Sequence, residues 1–203
     1  MIEAANTRAH PAETAIALSA LDCALNDQKA TYASSELTTG KRAYLLMREH
    51  GVRESASLMT KLGEQAYHRQ LLEVNVAAAK RFAARLRERL GSVLVITPAP
   101  FVAPRWGQKE YLAFWETLLR TRVANVFFND DWQYSSGCAF EFAVAHDAGL
   151  PTWDAQGASL SLGAGISLIE RAVAQMAADG IALNALPTNL ARLRELHGAA
   201  TKE

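Results

Sequence analysis

The sequence predicts an α/β domain: a mainly parallel sheet with helices on both faces, preceded by an N-terminal helix. Two observations carry this prediction. Short apolar runs of strand length alternate with longer segments of helical period in a βαβα order, which folds into a parallel sheet through right-handed crossovers. Residues 129–154, NDDWQYSSGCAFEFAVAHDAGLPTWD, then set a polar turn at the carboxyl end of an apolar strand, where open α/β sheets bind ligands.

Taken in order, residues 11–25 carry Ile16, Leu18, Leu21 and Leu25 near helical spacing and read as an amphipathic helix, packed on the domain or on a second subunit. Residues 1–28 form this helical extension, and residues 29–203 form a single α/β domain. Residues 30–37 (ATYASSEL) mix β-branched, aromatic and small side chains before a Thr-Thr-Gly turn, as a first strand and its loop. A helix begins at 42–49. The next stretch, 51–63, is polar and interrupted. Residues 64–90 then hold a long helical period through Ala66, Leu71, Val74, Ala78, Phe82 and Leu86, which Gly91 ends. Residues 92–97 (SVLVIT) form a short apolar strand. Pro98, Pro100 and Pro104 stiffen the loop after it, which is placed to close over a substrate. A helix at 109–123, a buried strand at 124–129, a helix at 139–148 and a strand at 150–154 follow. Helices at 166–178 and 190–197 complete the chain, separated by turn residues Gly180 and Pro187.

Composition narrows the function. The 203 residues fit one domain with a full core, and half of them are apolar. Lys plus Arg equals Asp plus Glu at 21 each, so no global field recruits a nucleic acid polymer or an acidic membrane, and a small molecule is the expected partner. The two cysteines, Cys23 and Cys138, show neither disulfide nor zinc spacing and suit a reducing cytoplasm. No metal and no organic cofactor is called for. The first residues lack the apolar core of an export signal, and no apolar run reaches membrane-spanning length.

The residue that stands out is Glu141, an acid among Phe140, Phe142, Ala143, Val144 and Ala145, where an unpaired buried carboxylate is costly. Ser135, Ser136 and Gly137 read as a helix cap whose free N–H groups suit an anion, and the helix dipole favours an ionised Glu141. An ionised carboxylate facing a sugar is a nucleophile. The competing expectation is a structural ion pair with Arg120 or Arg122.

The spacing Trp132, Ser135, Gly137, Cys138, Glu141, followed by Ala145, Gly149 and Pro151, resembles the nucleoside 2-deoxyribosyltransferase-like superfamily. That superfamily includes 2′-deoxynucleoside 5′-phosphate N-hydrolases, a pyrimidine nucleotide N-glycosidase branch and uncharacterised bacterial members. The resemblance covers residues 29–154. It implies a flavodoxin-like, Rossmann-type fold, attack of Glu141 on C1′ of a (deoxy)ribose, a Ser135 that binds the sugar or its 5′-phosphate, and a homo-oligomer. It also makes the loop after the first strand a ligand neighbour, through Ser34, Ser35, Thr39 and Gly40. Lys41 and Arg42 at the start of the following helix suit a phosphate, and so favour a nucleotide and hydrolysis over base transfer; a plain helix cap with solvated cations is the bland alternative.

Protonating the departing base needs a further group. Asp130 and Asp131, at the end of the strand before the motif, are placed to do this or to hold a sugar hydroxyl, and also fit a solvated turn. The superfamily places an aspartate on the preceding helix; the matching position falls at or beside Thr117, and the neighbouring acid is Glu116. That departure leaves room for a non-catalytic nucleotide-binding or sensing module. Tyr32, Trp106, Trp132 and Tyr134 are candidates to stack on a base, with Trp132 preferred because it belongs to the motif. Trp115 and Glu116 are candidate pocket residues, although Trp115 at helical spacing with Leu112 and Leu119 also fits the core; Cys138 fits a small buried position, and His146 a structural or surface one, since it faces away from Glu141.

Overall fold

The sheet is assembled from β1 (Ala30–Ser34), β2 (Val95–Ile96), β3 (Val123–Phe128) and β4 (Thr152–Trp153), side by side in the order β2-β1-β3-β4 and parallel throughout. This computed structural model describes residues 11–200; the first ten residues of the predicted extension lie outside them. The strand order is that of the first strands of a flavodoxin-like sheet. No helix among the described residues is long and apolar enough to cross a membrane.

Alternation along the strands divides the interior. Tyr32, Val126 and Phe128 face a large core, while Ala33, Val95 and Phe127 face a smaller one with Phe82, Ala83 and Leu86 of α5 (Glu73–Leu90). The large core receives α2 (Lys41–Glu49), α3 (Ser55–Leu62), α6 (Gln108–Arg122), α7 (Ser136–Asp147), α8 (Leu162–Ala178) and α9 (Leu186–Ala200). Helices therefore cover both faces of the sheet. The long helical period at 64–90 is one continuous run, α4 (Glu64–Tyr67), a π-helical turn (His68–Leu72) and α5, closed by Gly91 at φ 69°.

The N-terminal helix α1 (Pro11–Leu25) docks on α6: Asp22 pairs with Arg122, and Trp106 donates from Nε1 to Glu13 at 3.3 Å. Leu25 is buried and Leu18 and Leu21 lie partly covered, but Ile16 is 67% exposed, so the apolar stripe is shorter than its spacing suggested. Residues 51–63 contain a helix, α3, that the pattern did not reveal, because Leu58 is its one buried side chain. Pro187 is not a turn residue: it is the second residue of α9, where its missing N–H costs nothing.

Candidate functional site

The chain leaves β1 toward β2 on one side of the sheet and leaves β3 toward β4 on the other, so the neighbours β1 and β3 form a topological switch point. Ser34 lies opposite Phe128 in the ladder, and the Asn129 N–H donates to the Ser34 carbonyl at 3.0 Å, carrying the pairing to the carboxyl ends. From there Asp131 turns the chain in the left-handed region at φ 61°, and a 3₁₀ turn (Trp132–Tyr134) leads to Ser135. The Ser135 hydroxyl accepts the Cys138 N–H at 3.3 Å and caps α7.

Glu141 sits on the face of α7 turned to the sheet and is 6% exposed. Its Oε1 accepts the Tyr32 hydroxyl at 2.7 Å and its Oε2 the Ser34 hydroxyl at 2.6 Å. Tyr32 and Ser34 are alternate residues of one strand and so share the face beneath α7. Among the described residues no cation pairs with the carboxyl. Arg120 pairs with Glu116 and Asp147 instead, and Arg122 with Asp22, so the structural ion pair considered for Glu141 does not form. Burial pushes Glu141 up to about 7, while the two hydroxyl donors pull the other way. Desolvation thus outweighs the two hydrogen bonds that favour the ionised form. The Cys138 thiol alongside is pushed up by burial and by the Glu141 charge, and is an inert packing residue.

The loop after β1 meets the start of α7. Thr39 Oγ1 lies 3.1 Å from Ser135 Oγ, which ties the loop to the α7 cap. Glu36, half-buried, turns back so that its Oε2 accepts the Lys41 N–H at 2.7 Å, the first backbone N–H of α2. Gly40 makes room for it: its φ is 119°, and a Cβ there would stand 1.9 Å from Glu36 Oε2. Burial pushes Glu36 up to about 7 against the N–H groups of Lys41 and Arg42. Lys41 donates from Nζ to the Tyr134 hydroxyl at 3.0 Å, and Arg42 donates to the Gln70 carbonyl. Both cations are thereby engaged by the protein.

Near the carboxyl ends of the strands three buried hydroxyls have no partner among the described residues: Ser35 (5% exposed), Thr97 (8%) and Ser136 (6%). An unpaired buried hydroxyl costs roughly 1–3 kcal/mol. Ser35 follows β1, Thr97 follows β2 and Ser136 opens α7 after β3, so all three belong to the end of the sheet where ligands bind.

The structure therefore sets Tyr32, Ser34, Ser35, Thr39 and Gly40, in β1 and the loop after it, against Ser135, Ser136, Gly137 and Glu141 at the start of α7. The other candidates lie differently. Trp132 is 4% exposed and packs between Phe128 (4.8 Å) and Phe142 (4.7 Å), so it presents no free face to a base. Asp130 and Asp131 are exposed, and Asp130 accepts from Gln156 at 3.1 Å. Glu116 joins Arg120, Arg192 and Asp147 in a network at the far end of α7. Trp106 and Trp115 are core residues, Trp115 meeting the Tyr32 ring at 5.7 Å. Phe101 of the proline-rich loop stacks on Phe114 at 4.8 Å, which pins that loop to α6. His146 packs on Phe142 and meets the Thr152 hydroxyl at 3.1 Å, a structural position. Sequence reasoning missed Glu36 and Thr97; the signal for Glu36 was an acid four residues before a glycine at a helix start.

Among the described residues no group of three or more His, Cys, Asp or Glu side chains is gathered to hold a metal ion. Two surface clefts lie away from the crevice. One, of about 300 Å³, runs between α1 and the loop at Phe101 to Trp106, and the other, of about 410 Å³, lies along the exposed edge of β2. Compared with models of protein families, with curated proteins and with solved structures, the chain gives no match.

Proposed function

We propose that this protein cleaves the N-glycosidic bond of a nucleoside or (deoxy)nucleoside 5′-monophosphate, with Glu141 as nucleophile toward C1′ and hydrolysis favoured over base transfer. The observation that carries this reading is the Glu141 carboxyl, buried at the switch point and held, among the described residues, by the Tyr32 and Ser34 hydroxyls and no cation. A purely structural acid in such a core would be expected to have a cation, since an unpaired buried charge is costly. Two neutral donors instead aim the carboxylate and leave it basic, the condition for attack on an electrophilic sugar carbon. Resemblance to the nucleoside 2-deoxyribosyltransferase-like superfamily supports the same role, and with it a homo-oligomer.

The unpartnered Ser35, Thr97 and Ser136 hydroxyls support a polar ligand in the crevice. With Lys41 and Arg42 engaged elsewhere, support for a phosphate passes to the N-terminus of α7, where Ser136 and the first N–H groups of the helix suit an anion.

The test is release of free base from ribo- and deoxyribonucleosides and their 5′-monophosphates, with and without a second base, by the wild type and by Glu141→Ala. Release lost in the variant and independent of the second base is the expected result. One observation favours a second reading, a non-catalytic nucleotide-binding or sensing module: the acid nearest the superfamily's aspartate position, Glu116, is spent in surface ion pairs. Nucleotide binding with no release from any substrate would select that module.

A further inference from the structure

Breaking a glycosidic C–N bond needs a proton for the departing base, and Glu141 as an ionised nucleophile has none to give. The acids expected from the sequence do not serve: Asp130 and Asp131 are exposed, and Glu116 is paired at the far end of α7. The crevice itself holds another carboxyl. Glu36 stands two residues beyond Ser34, whose hydroxyl bonds Glu141, and one beyond Ser35, whose buried hydroxyl is unpartnered. Thr39 Oγ1, 3.1 Å from Ser135 Oγ, holds the same loop against the start of α7, where the Cys138 thiol feels the charges of both Glu36 and Glu141. Glu36 is fixed by the Lys41 N–H at 2.7 Å and by the space that Gly40 leaves, yet it is half-buried where Glu141 is 6% exposed, so a ligand can reach it.

We propose that Glu36 is the proton donor to the departing base, an assignment that rests on the glycosidic reading of Glu141. As a Glu141 oxygen bonds to C1′, the C1′–N bond breaks and its electron pair goes to the base, which takes the proton from the Glu36 carboxylic acid. Water then attacks C1′, the bond to Glu141 breaks with its pair returning to the carboxylate, and Glu36 recovers the proton from that water. The sum is nucleoside plus water to base plus sugar. The groups facing Glu36 suit this cycle. Lys41 and Arg42 of α2 hold it through backbone N–H groups, the Lys41 charge, engaged at the Tyr134 hydroxyl, pulls its carboxyl down, and the Asp131 charge before α7 pushes it up. Burial together with the Asp131 charge keeps the Glu36 carboxyl protonated up to about 7.

The test compares a nucleoside the protein cleaves with the p-nitrophenyl glycoside of the same sugar, whose nitrophenolate leaves without a proton. Glu36→Gln, which keeps an acceptor for the Lys41 N–H, is expected to slow nucleoside cleavage by roughly 10²-fold or more and aryl glycoside cleavage by only a few-fold. In the wild type, independently of any variant, nucleoside kcat falls on the alkaline side while aryl glycoside kcat does not. Equal loss on both substrates, unchanged nucleoside cleavage in the variant, or matching alkaline limbs overturn the role of Glu36 and leave that of Glu141 standing. A wild type that cleaves neither substrate overturns the Glu141 reading, and this one with it.

Discussion

Replacing Glu141 by Gln changes the pH dependence of stability in a way the crevice geometry dictates. Gln keeps the shape and an acceptor for the Tyr32 hydroxyl, and the Ser34 hydroxyl can turn to accept from the new amide, so the change removes chiefly the ionisation. The native carboxyl is raised from 4.5 to about 7 by burial. A carboxyl raised on folding binds more protons in the native than in the unfolded chain, so its contribution is intact below about 4.5 and is lost as pH rises through about 7. At roughly 1.4 kcal/mol per unit, integrating between about pH 5 and about pH 8 gives a loss of roughly 2–3 kcal/mol in the wild type that the Gln variant does not suffer. For a chain of this size that is roughly 5–10 °C in Tm. The assay is denaturant and thermal unfolding of both proteins across that range, read as their difference so that other titrating groups cancel. A difference that stays flat, or a wild type that gains on the variant as pH rises, would refute the account, since either requires a well-compensated charge at Glu141.

Other substitutions test the parts around it. Tyr32→Phe removes a donor that favours the ionised carboxyl, so Glu141 moves further up and the acid limb of any base-release profile shifts to higher pH; an unshifted limb contradicts the Tyr32 bond. Gly40→Ala meets both φ 119° and Glu36 Oε2 at 1.9 Å, and is expected to cost roughly 1–3 kcal/mol in urea unfolding, with part of that cost relieved when Glu36→Ala is added. Gly165→Ala on α8 sets a Cβ 2.2 Å from the Phe142 ring and is expected to cost roughly 1–3 kcal/mol by overpacking, although it touches no candidate site residue; a neutral effect would refute that packing. Thiol titration should find Cys23 reactive in the native protein and Cys138 only after unfolding, and rapid native labelling of Cys138 would contradict its burial.

What the sequence made legible follows from how strongly local physics marks each element. The run at 64–90 is helical throughout and its period identified it, although Val74 of that period is exposed and Asn75 beside it is buried. The helix α3 has one buried side chain, Leu58, and shows no stripe to find. β2 contracts to Val95–Ile96 at the edge of the sheet beside β1, where Val93 and Leu94 stay exposed. The helix α8 begins at Leu162, earlier than its apolar period suggested, because Gly163 and Gly165 look like loop residues until the Phe142 ring is seen to require Gly165. At the site, Glu141 declared itself by being an acid in an apolar helix. Its partners did not, because Tyr32 and Ser34 lie 109 and 107 residues away in sequence and only the β1 and β3 pairing brings them under α7. Trp132 belongs to the motif yet packs in the core, since aromatic character near a strand end does not specify which way a ring turns. Glu36 escaped notice because an acid in a hydroxyl-rich loop looks solvated until the loop is seen folding it back onto α2.

Trapping tests the central claim, Glu141 as nucleophile, most directly. The protein is incubated with 2′-deoxy-2′-fluoroarabino nucleosides and their 5′-monophosphates, whose fluorine slows breakdown of a glycosyl-enzyme, and is then measured by intact-mass and peptide mass spectrometry. The account predicts a fluorosugar adduct on the peptide carrying Glu141 and none in Glu141→Ala. An adduct on another residue, or free-base release without any adduct in wild type and Glu141→Ala alike, would contradict it.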